Sequence, residues 1–156
     1  MDRLANTWGR MLVPGTLAAL ASAAVLAAYG RREIGSIAAP MNGPSQWVWG
    51  RGAPYRDDAT WRHTALGFAI HHGASLFWGV LFEFFRRRAP RDVPGTVASA
   101  VTTAAIANVV DFKLTPERLT PGFEKRLSHR ALFATYAAFA MGLAAGALLT
   151  GTTRDS

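Results

Sequence analysis

Four predominantly apolar stretches, each about 20 residues long, decide what this chain of 156 residues can fold into. The stretches are residues 11–29, 64–85, 93–112 and 131–149, and the helices predicted to contain them cover about 11–29, 60–86, 93–112 and 129–149. At 1.5 Å per residue, such a helix measures roughly 30 Å, the thickness of a bilayer's hydrocarbon core. A soluble bundle is the alternative, but a chain this short cannot surround four helices that are apolar on every side. We therefore predict an all-α integral membrane bundle of four transmembrane helices, forming a single membrane domain over residues 1–156.

The first apolar stretch has a second interpretation. Arg3 and Arg10 give it a basic flank, and the small residues 21–23 resemble a signal-peptidase site. The apolar run continues well past that point to Tyr29, however, and residues 11–20 alone would be a short apolar region. We predict a retained helix, with a cleaved signal peptide as the alternative.

Composition narrows the class of protein further. Half of the residues are hydrophobic although the net charge is +7, because the charges are concentrated between the apolar stretches. The chain has no Cys, which excludes disulfide scaffolds and thiolate metal sites. Arg accounts for 15 of the 17 basic residues, as is common in GC-rich bacteria. No folded basic module lies outside the spans, so the charge predicts contact with anionic lipid headgroups and no nucleic-acid binding.

The basic residues also bear on orientation. With four spans, both termini and the turn at residues 86–92 lie on one side of the membrane, opposite the loops at residues 30–59 and 113–128. Seven basic residues fall on the first side and ten on the second, but four of the seven are concentrated in the short turn, and short loops count most in the positive-inside rule. We predict a bacterial inner membrane protein with both termini in the cytoplasm. The residues predicted to contact lipid headgroups are Arg86, Arg87, Arg88 and Arg91.

An acidic residue precedes this basic turn. Glu83 lies three residues before Arg86 and four before Arg87, the spacing of stabilising ion pairs on a helix. We predict such pairs at the edge of the membrane.

The first loop is rich in aromatic residues whose amphipathic rings favour the headgroup region. These residues are Trp47, Trp49, Tyr55 and Trp61. Either they only anchor the loop at the membrane surface, or the loop is a lid with aromatic walls over a cavity in the bundle. Ser45 fits the N-cap of a short helix, and the acidic pair at residues 57–58 fits the start of the second span.

The second loop contains Thr before Pro twice, at residues 115–116 and 120–121. Thr at a cap position and Pro at the first helical position predict two short helix starts. Phe123 lies among charged residues, so residues 121–127 predict a short interfacial helix before the fourth span. Ser128 fits the N-cap of that span.

Three runs of sequence resemble a group of small proteobacterial inner-membrane proteins. They are APMNGPSQWVWG at residues 39–50, HTALGFAIHHGASLFWGVLFE at 63–83 and VVDFKLTPERLTPGFEKRLS at 109–128. The resemblance covers the chain from about Ala39 to Gly146. It implies four membrane helices in the inner membrane, and it implies no activity, because none is assigned to the group.

Polar residues within the spans are candidates for a functional site. His71 and His72 lie in the second span, and their rings cannot face one point because adjacent helical residues diverge by about 100°. Asn108 and Asp111 end the third span on the same side of the membrane and share one helix face. We predict a polar or ligand site where one imidazole and Asp111 meet, with its metal content unknown.

A structural role is the alternative for the same residues. One imidazole would bond a backbone carbonyl or Ser75, and Asp111 would pair with Lys113 or Arg118. Neither arrangement needs a ligand.

Small residues recur at four-residue spacing in three spans. They are Gly15, Ala19, Ala23 and Ala27 in the first, Gly95, Ser99, Thr103 and Ala107 in the third, and Gly142 and Gly146 in the fourth. Close backbone approach drives helix association in lipid, so these faces predict a compact bundle and, beyond it, a homo-oligomer. The Ala-rich composition alone is the alternative explanation.

Three classes of function follow. The leading one is a non-enzymatic membrane protein whose loops contact lipid or a partner. The second is a small permease or an ion- or metal-binding membrane protein that uses His71 or His72, Asn108 and Asp111. The third, a membrane-embedded enzyme or haem binder, is not favoured because the sequence has no nucleophile-and-base set. No cofactor is predicted, with a metal or haem as the alternative.

Overall fold

The four apolar stretches form long helices, and shorter helices lie in the first loop. The computed structural model describes residues 2–152. Its α-helices are α1 (Asp2–Tyr29), α2 (Ala39–Asn42), α3 (Gln46–Trp49), α4 (Leu66–Arg86), α5 (Val93–Val109) and α6 (His129–Thr152). Four helices are long and apolar enough to cross a membrane, and the described residues contain no strand. The prediction of an all-α membrane bundle is confirmed.

Wide π-helical turns extend three of the spans at the loop end of the bundle. They are Gly30–Ile34 after α1, Trp61–Ala65 before α4 and Val110–Leu114 after α5. With these turns, the candidate spans are Leu12–Ile34, Trp61–Arg86, Val93–Leu114 and His129–Gly151. π-turns inside helices often occur at functional sites, so their position makes the loop end a candidate location for such a site.

The four long helices form a ring in which sequence neighbours are antiparallel. α1 packs against α4 and α6, and α5 packs against the same two helices on the opposite side. α1 is thus a packed member of the bundle, as expected for a retained span. The side chains of Arg3 and Arg10 lie outside the described part of the chain.

The long helices α1 and α6 are in close contact at the small residues of both. A Cβ added to Gly142 would lie 2.5 Å from Cα of Ala18, and one added to Gly146 would lie 2.5 Å from Cα of Pro14. Such distances are possible only for glycine, so the two backbones are in contact. The small-residue faces therefore hold the chain together internally, as the compact-bundle prediction requires.

The loops are part of the core. Phe123 is 3% exposed and packs with Leu26 of α1, Met41 of α2 and Leu127. The predicted interfacial helix before the fourth span is a single 3₁₀ turn, Phe123–Lys125. Its apolar side chains face the protein and not the bilayer, because the two loops pack against each other.

Several predicted helix starts in the loops are wrong. Helical structure before α4 begins after Thr60, whose hydroxyl accepts from N–H of His63 at 3.1 Å, and not at residues 57–58. Thr115 and Thr120 both have extended backbones and end turns that precede them. The residue before a proline favours this extended conformation.

The hydroxyls of the loop are used in other ways. Thr115 donates to the carbonyl of Val110 at 2.8 Å, and Ser45, which precedes α3, donates to the carbonyl of Asn42 at 2.7 Å without capping the helix. Ser128 does cap α6, with its Oγ accepting from N–H of Ala131 at 3.2 Å. The prediction for Ser128 is confirmed.

Candidate functional site

A small cavity of about 60 Å³ lies between the four spans, directly beneath the loops. Every span and both loops contribute to its wall. Its polar side chains are Ser22, His71, Ser75, Asp111, Thr135 and Tyr136, and its rings include Trp47, Trp78, Phe123 and Phe139. Apolar walls with a few convergent polar groups are typical of small-molecule sites.

His71 is fixed in the cavity wall by α1. Its Nε2 lies 3.0 Å from Oγ of Ser22, whose own hydroxyl donates to the carbonyl of Ala18 at 2.7 Å. The ring also bonds the backbone of Ala19, so one imidazole binds a backbone group, as the structural alternative predicts. Ser75 donates to the backbone carbonyl of His71 at 2.8 Å and not to its ring.

Asp111 is held by α6 and not by a basic residue. The hydroxyl of Tyr136 donates to its Oδ2 at 2.5 Å, and the Tyr136 ring packs edge-on against Phe112 with centroids 5.7 Å apart. Arg118 instead donates to the carbonyls of Trp47 and Val48 at 3.4 Å. The expected pair with a basic neighbour is therefore absent among the described residues, where Asp111 forms no ion pair.

A second carboxylate, Glu124, lies outside the cavity wall, in the same short turn as Phe123. Its Oε1 accepts from the hydroxyl of Thr120 at 2.6 Å, whereas its Oε2 is buried and has no hydrogen-bond partner. This buried oxygen can accept a further hydrogen bond.

The two loops form a lid that closes the loop end. Gln46 is 0% exposed, and its Nε2 donates to the carbonyl of Thr120 at 2.8 Å while its Oε1 accepts from Lys125 at 3.0 Å. Trp47 donates to the same Thr120 carbonyl at 3.3 Å and lines the cavity. Of the two interpretations of the first loop, the lid is the one that fits Trp47, and Phe123 of the second loop lines the same cavity.

The remaining predicted polar residues lie elsewhere. Nε2 of His72 is 3.0 Å from Oγ1 of Thr16, and its ring stacks on Phe68 at a centroid distance of 5.9 Å. The two imidazoles thus diverge, as the helix geometry predicts. Asn108 is not part of the cavity wall.

A metal centre finds no support in the described part of the chain, where no three His, Asp or Glu side chains are grouped to hold an ion. His71 and Asp111 share the cavity with a tyrosine and aromatic rings and not with a third metal-binding side chain.

The other loop aromatics have different surroundings. Trp49 donates to the carbonyl of Arg62 at 2.8 Å, and the Arg62 guanidinium lies 4.1 Å from the centre of the Trp49 ring. Tyr55 and Trp61 are exposed, with 90% of Trp61 accessible. These two are the residues that fit an anchoring role at the membrane surface.

The arginine turn lies at the opposite end of the bundle. Arg86 donates to both oxygens of Glu83 at 2.7 and 2.9 Å, and Arg87 donates to one at 3.2 Å, which confirms the predicted ion pairs. Arg88 lies over the ring of Phe84 at 3.5 Å. Arg91 is exposed.

Sequence reasoning found His71 and Asp111 but missed Tyr136, Ser22 and Glu124. A tyrosine or serine in an apolar helix gives no signal of which side it faces, and Glu124 has the pattern of a solvent-facing charge.

No protein-family model, curated protein or solved structure matches the chain.

Proposed function

We propose that this integral membrane protein is non-enzymatic and binds a small cation, of the size of a protonated amine, in the capped cavity. One observation carries the proposal. Asp111, in the cavity wall, bonds Tyr136 and forms no ion pair among the described residues, and the buried carboxylate of Glu124 outside the wall likewise forms none.

An uncompensated carboxylate in a low-dielectric site is costly, and it is stabilised when a proton or a cation neutralises it. The cavity offers a carboxylate acceptor at Asp111 beside the His71 imidazole, whereas the hydroxyl hydrogen of Tyr136 is already donated to Asp111. A ligand that brings hydrogen-bond donors is therefore favoured over one that brings acceptors.

The walls support the same chemistry. Trp47 and Trp78 both line the cavity, and tryptophan faces attract cations. A volume of about 60 Å³ admits an ammonium or methylammonium ion. The lid formed by the loops would control entry of the cation. A protein that also releases the cation on the other side of the membrane would be a small permease.

A thermal-shift experiment with methylammonium chloride tests the proposal. The unfolding temperature of the protein in detergent micelles is measured against sodium chloride of equal ionic strength. At ten times Kd, linkage predicts about 1.4 kcal/mol of stabilisation, or roughly 3–5 °C for a chain of this length. We expect this shift for the wild type and its loss in Asp111→Asn.

The matched control is Asp58→Asn, which makes the same substitution at an exposed carboxylate of the first loop outside the cavity wall. It should keep the shift. The proposal fails if Asp111→Asn responds like the wild type, or if methylammonium stabilises the wild type no more than sodium does.

Contact between the loops and lipid is the second candidate function. The observation that favours it is the exposure of Trp61 and Ile37, at 90% and 61%, beside the start of a span. Large apolar side chains at this level favour the headgroup region of a bilayer. Arg88 and Arg91 would contact anionic headgroups at the other end.

We further propose a bacterial inner membrane with both termini in the cytoplasm, which rests on the density of arginines in the turn at residues 86–92. Association between copies of the chain would use faces other than Gly142 and Gly146, since these pack against α1.

A further inference from the structure

An apolar groove of about 570 Å³ runs along the outside of the bundle between α1 and the start of α4. Ala23 and Ala27 form part of its wall on α1, and Phe68 lies on α4. The exposed side chains of Ile37 and Trp61 also line it. The groove is thus open, apolar and next to two spans, where hydrocarbon chains surround the protein.

A polar pocket of about 440 Å³ adjoins the groove on the loop side. Arg56, Arg62, Asp58 and His63 line it. Thr60 lines both the groove and the pocket, so the segment around this residue separates an apolar space from a basic one.

The pocket carries a positive charge that the described residues leave uncompensated. Arg56 and Arg62 form no ion pair there, and Asp58 is the one acidic side chain in the wall. The Arg62 guanidinium is held flat over Trp49 at 4.1 Å, and a stacked guanidinium keeps its N–H groups available at its edge. Two arginines around one pocket are suited to a phosphate group.

We propose that the groove and the pocket together bind one anionic phospholipid, with an acyl chain along α1 and the phosphate between Arg56 and Arg62. The charge of the pocket selects the anionic headgroup, and the apolar groove selects the chain. Both volumes lie within the usual range of ligand sites. This inference rests on the second candidate function, contact between the loops and lipid, and is independent of the cation cavity.

Native mass spectrometry of the delipidated protein tests the site, with phosphatidylglycerol and phosphatidylcholine added separately at equal concentration. We expect the wild type to retain one phosphatidylglycerol and much less phosphatidylcholine. The double variant Arg56→Gln/Arg62→Gln should lower retention of phosphatidylglycerol at least about tenfold, to the level of phosphatidylcholine.

The matched control is Arg88→Gln/Arg91→Gln, which removes the same charge at the opposite end of the bundle and should leave retention unchanged. Ala59→Phe tests the groove, because Ala59 is an exposed residue of its wall and a larger side chain there would fill it. This variant should lower retention of phosphatidylglycerol without changing the elution volume of the protein.

Four results would overturn the proposal. Equal retention of both lipids would leave only unspecific contact between loop and lipid, so the second candidate function would survive without this site. Unchanged retention in Arg56→Gln/Arg62→Gln, or an equal loss in the control, would remove the role of the pocket. Displacement of phosphatidylglycerol by millimolar inorganic phosphate would indicate a site for free phosphate, in which the groove takes no part.

Discussion

Glu83 is a buried carboxylate in a membrane span, with 2% of its surface exposed, and two arginines compensate it unequally. The Arg86 side chain is 21% exposed and bidentate, whereas that of Arg87 is 55% exposed and makes one contact. Removing the main partner of a buried charge costs about 3 kcal/mol, whereas an exposed pair contributes under about 1 kcal/mol. We expect Arg86→Ala to be the more destabilising variant by about 2 kcal/mol, measured by unfolding in SDS with tryptophan fluorescence. Equal effects would show that Glu83 does not depend on the bidentate pair.

The sequence identifies the residues of the cavity site only in part. His71 and Asp111 are identified because ionisable residues are rare inside spans. Their partners, Ser22 and Tyr136, could not be assigned, because pairing depends on how the four spans are rotated about their axes. The buried oxygen of Glu124 follows from the folding of the loop and has no local signal.

At the scale of elements, the contact between α1 and α6 depends on glycine at Gly142. A methyl group at this position would meet the α1 backbone at 2.5 Å, so Gly142→Ala should separate the helices and destabilise the bundle by about 1–3 kcal/mol. Gly73→Ala is the matched control, because Gly73 is also inside a helix but has nothing within 4 Å of an added Cβ. It should be neutral or stabilising by roughly 0.5–1 kcal/mol. Thermal unfolding in micelles measures both, and similar losses in the two variants would contradict a close α1–α6 contact.

The long helices are predictable from sequence because each span must be apolar over the thickness of the membrane and satisfy its own backbone hydrogen bonds. The structure of the loops is not predictable in this way, because their short turns are stabilised by contacts across the fold. Gln46 is an example: it is a polar residue of a loop, yet it is fully buried and bonds Thr120 and Lys125 of the other loop. Residues 113–128 consequently form 3₁₀ turns around these contacts, where local caps predict helices.

At the scale of the whole molecule, ion pairs such as Arg51 with Glu117 and Arg126 with Asp57 join the two loops into one lid on one side of the membrane. The side of the membrane on which the lid lies can be tested by thiol labelling. The chain has no Cys, so a single introduced Cys is the only reactive thiol. Gly52 is an open position on the lid, and Arg91 is exposed in the opposite turn.

The density of arginines in the turn predicts that the lid faces away from the cytoplasm. A membrane-impermeant maleimide applied to intact spheroplasts should therefore label Gly52→Cys and leave Arg91→Cys unlabelled until the membrane is lysed. The reverse pattern would place the lid in the cytoplasm, and labelling of both variants in intact spheroplasts would show that the chain inserts in two orientations. With the predicted pattern, the lid opens toward the periplasm, so a cation would enter the cavity past Trp47 from outside the cell.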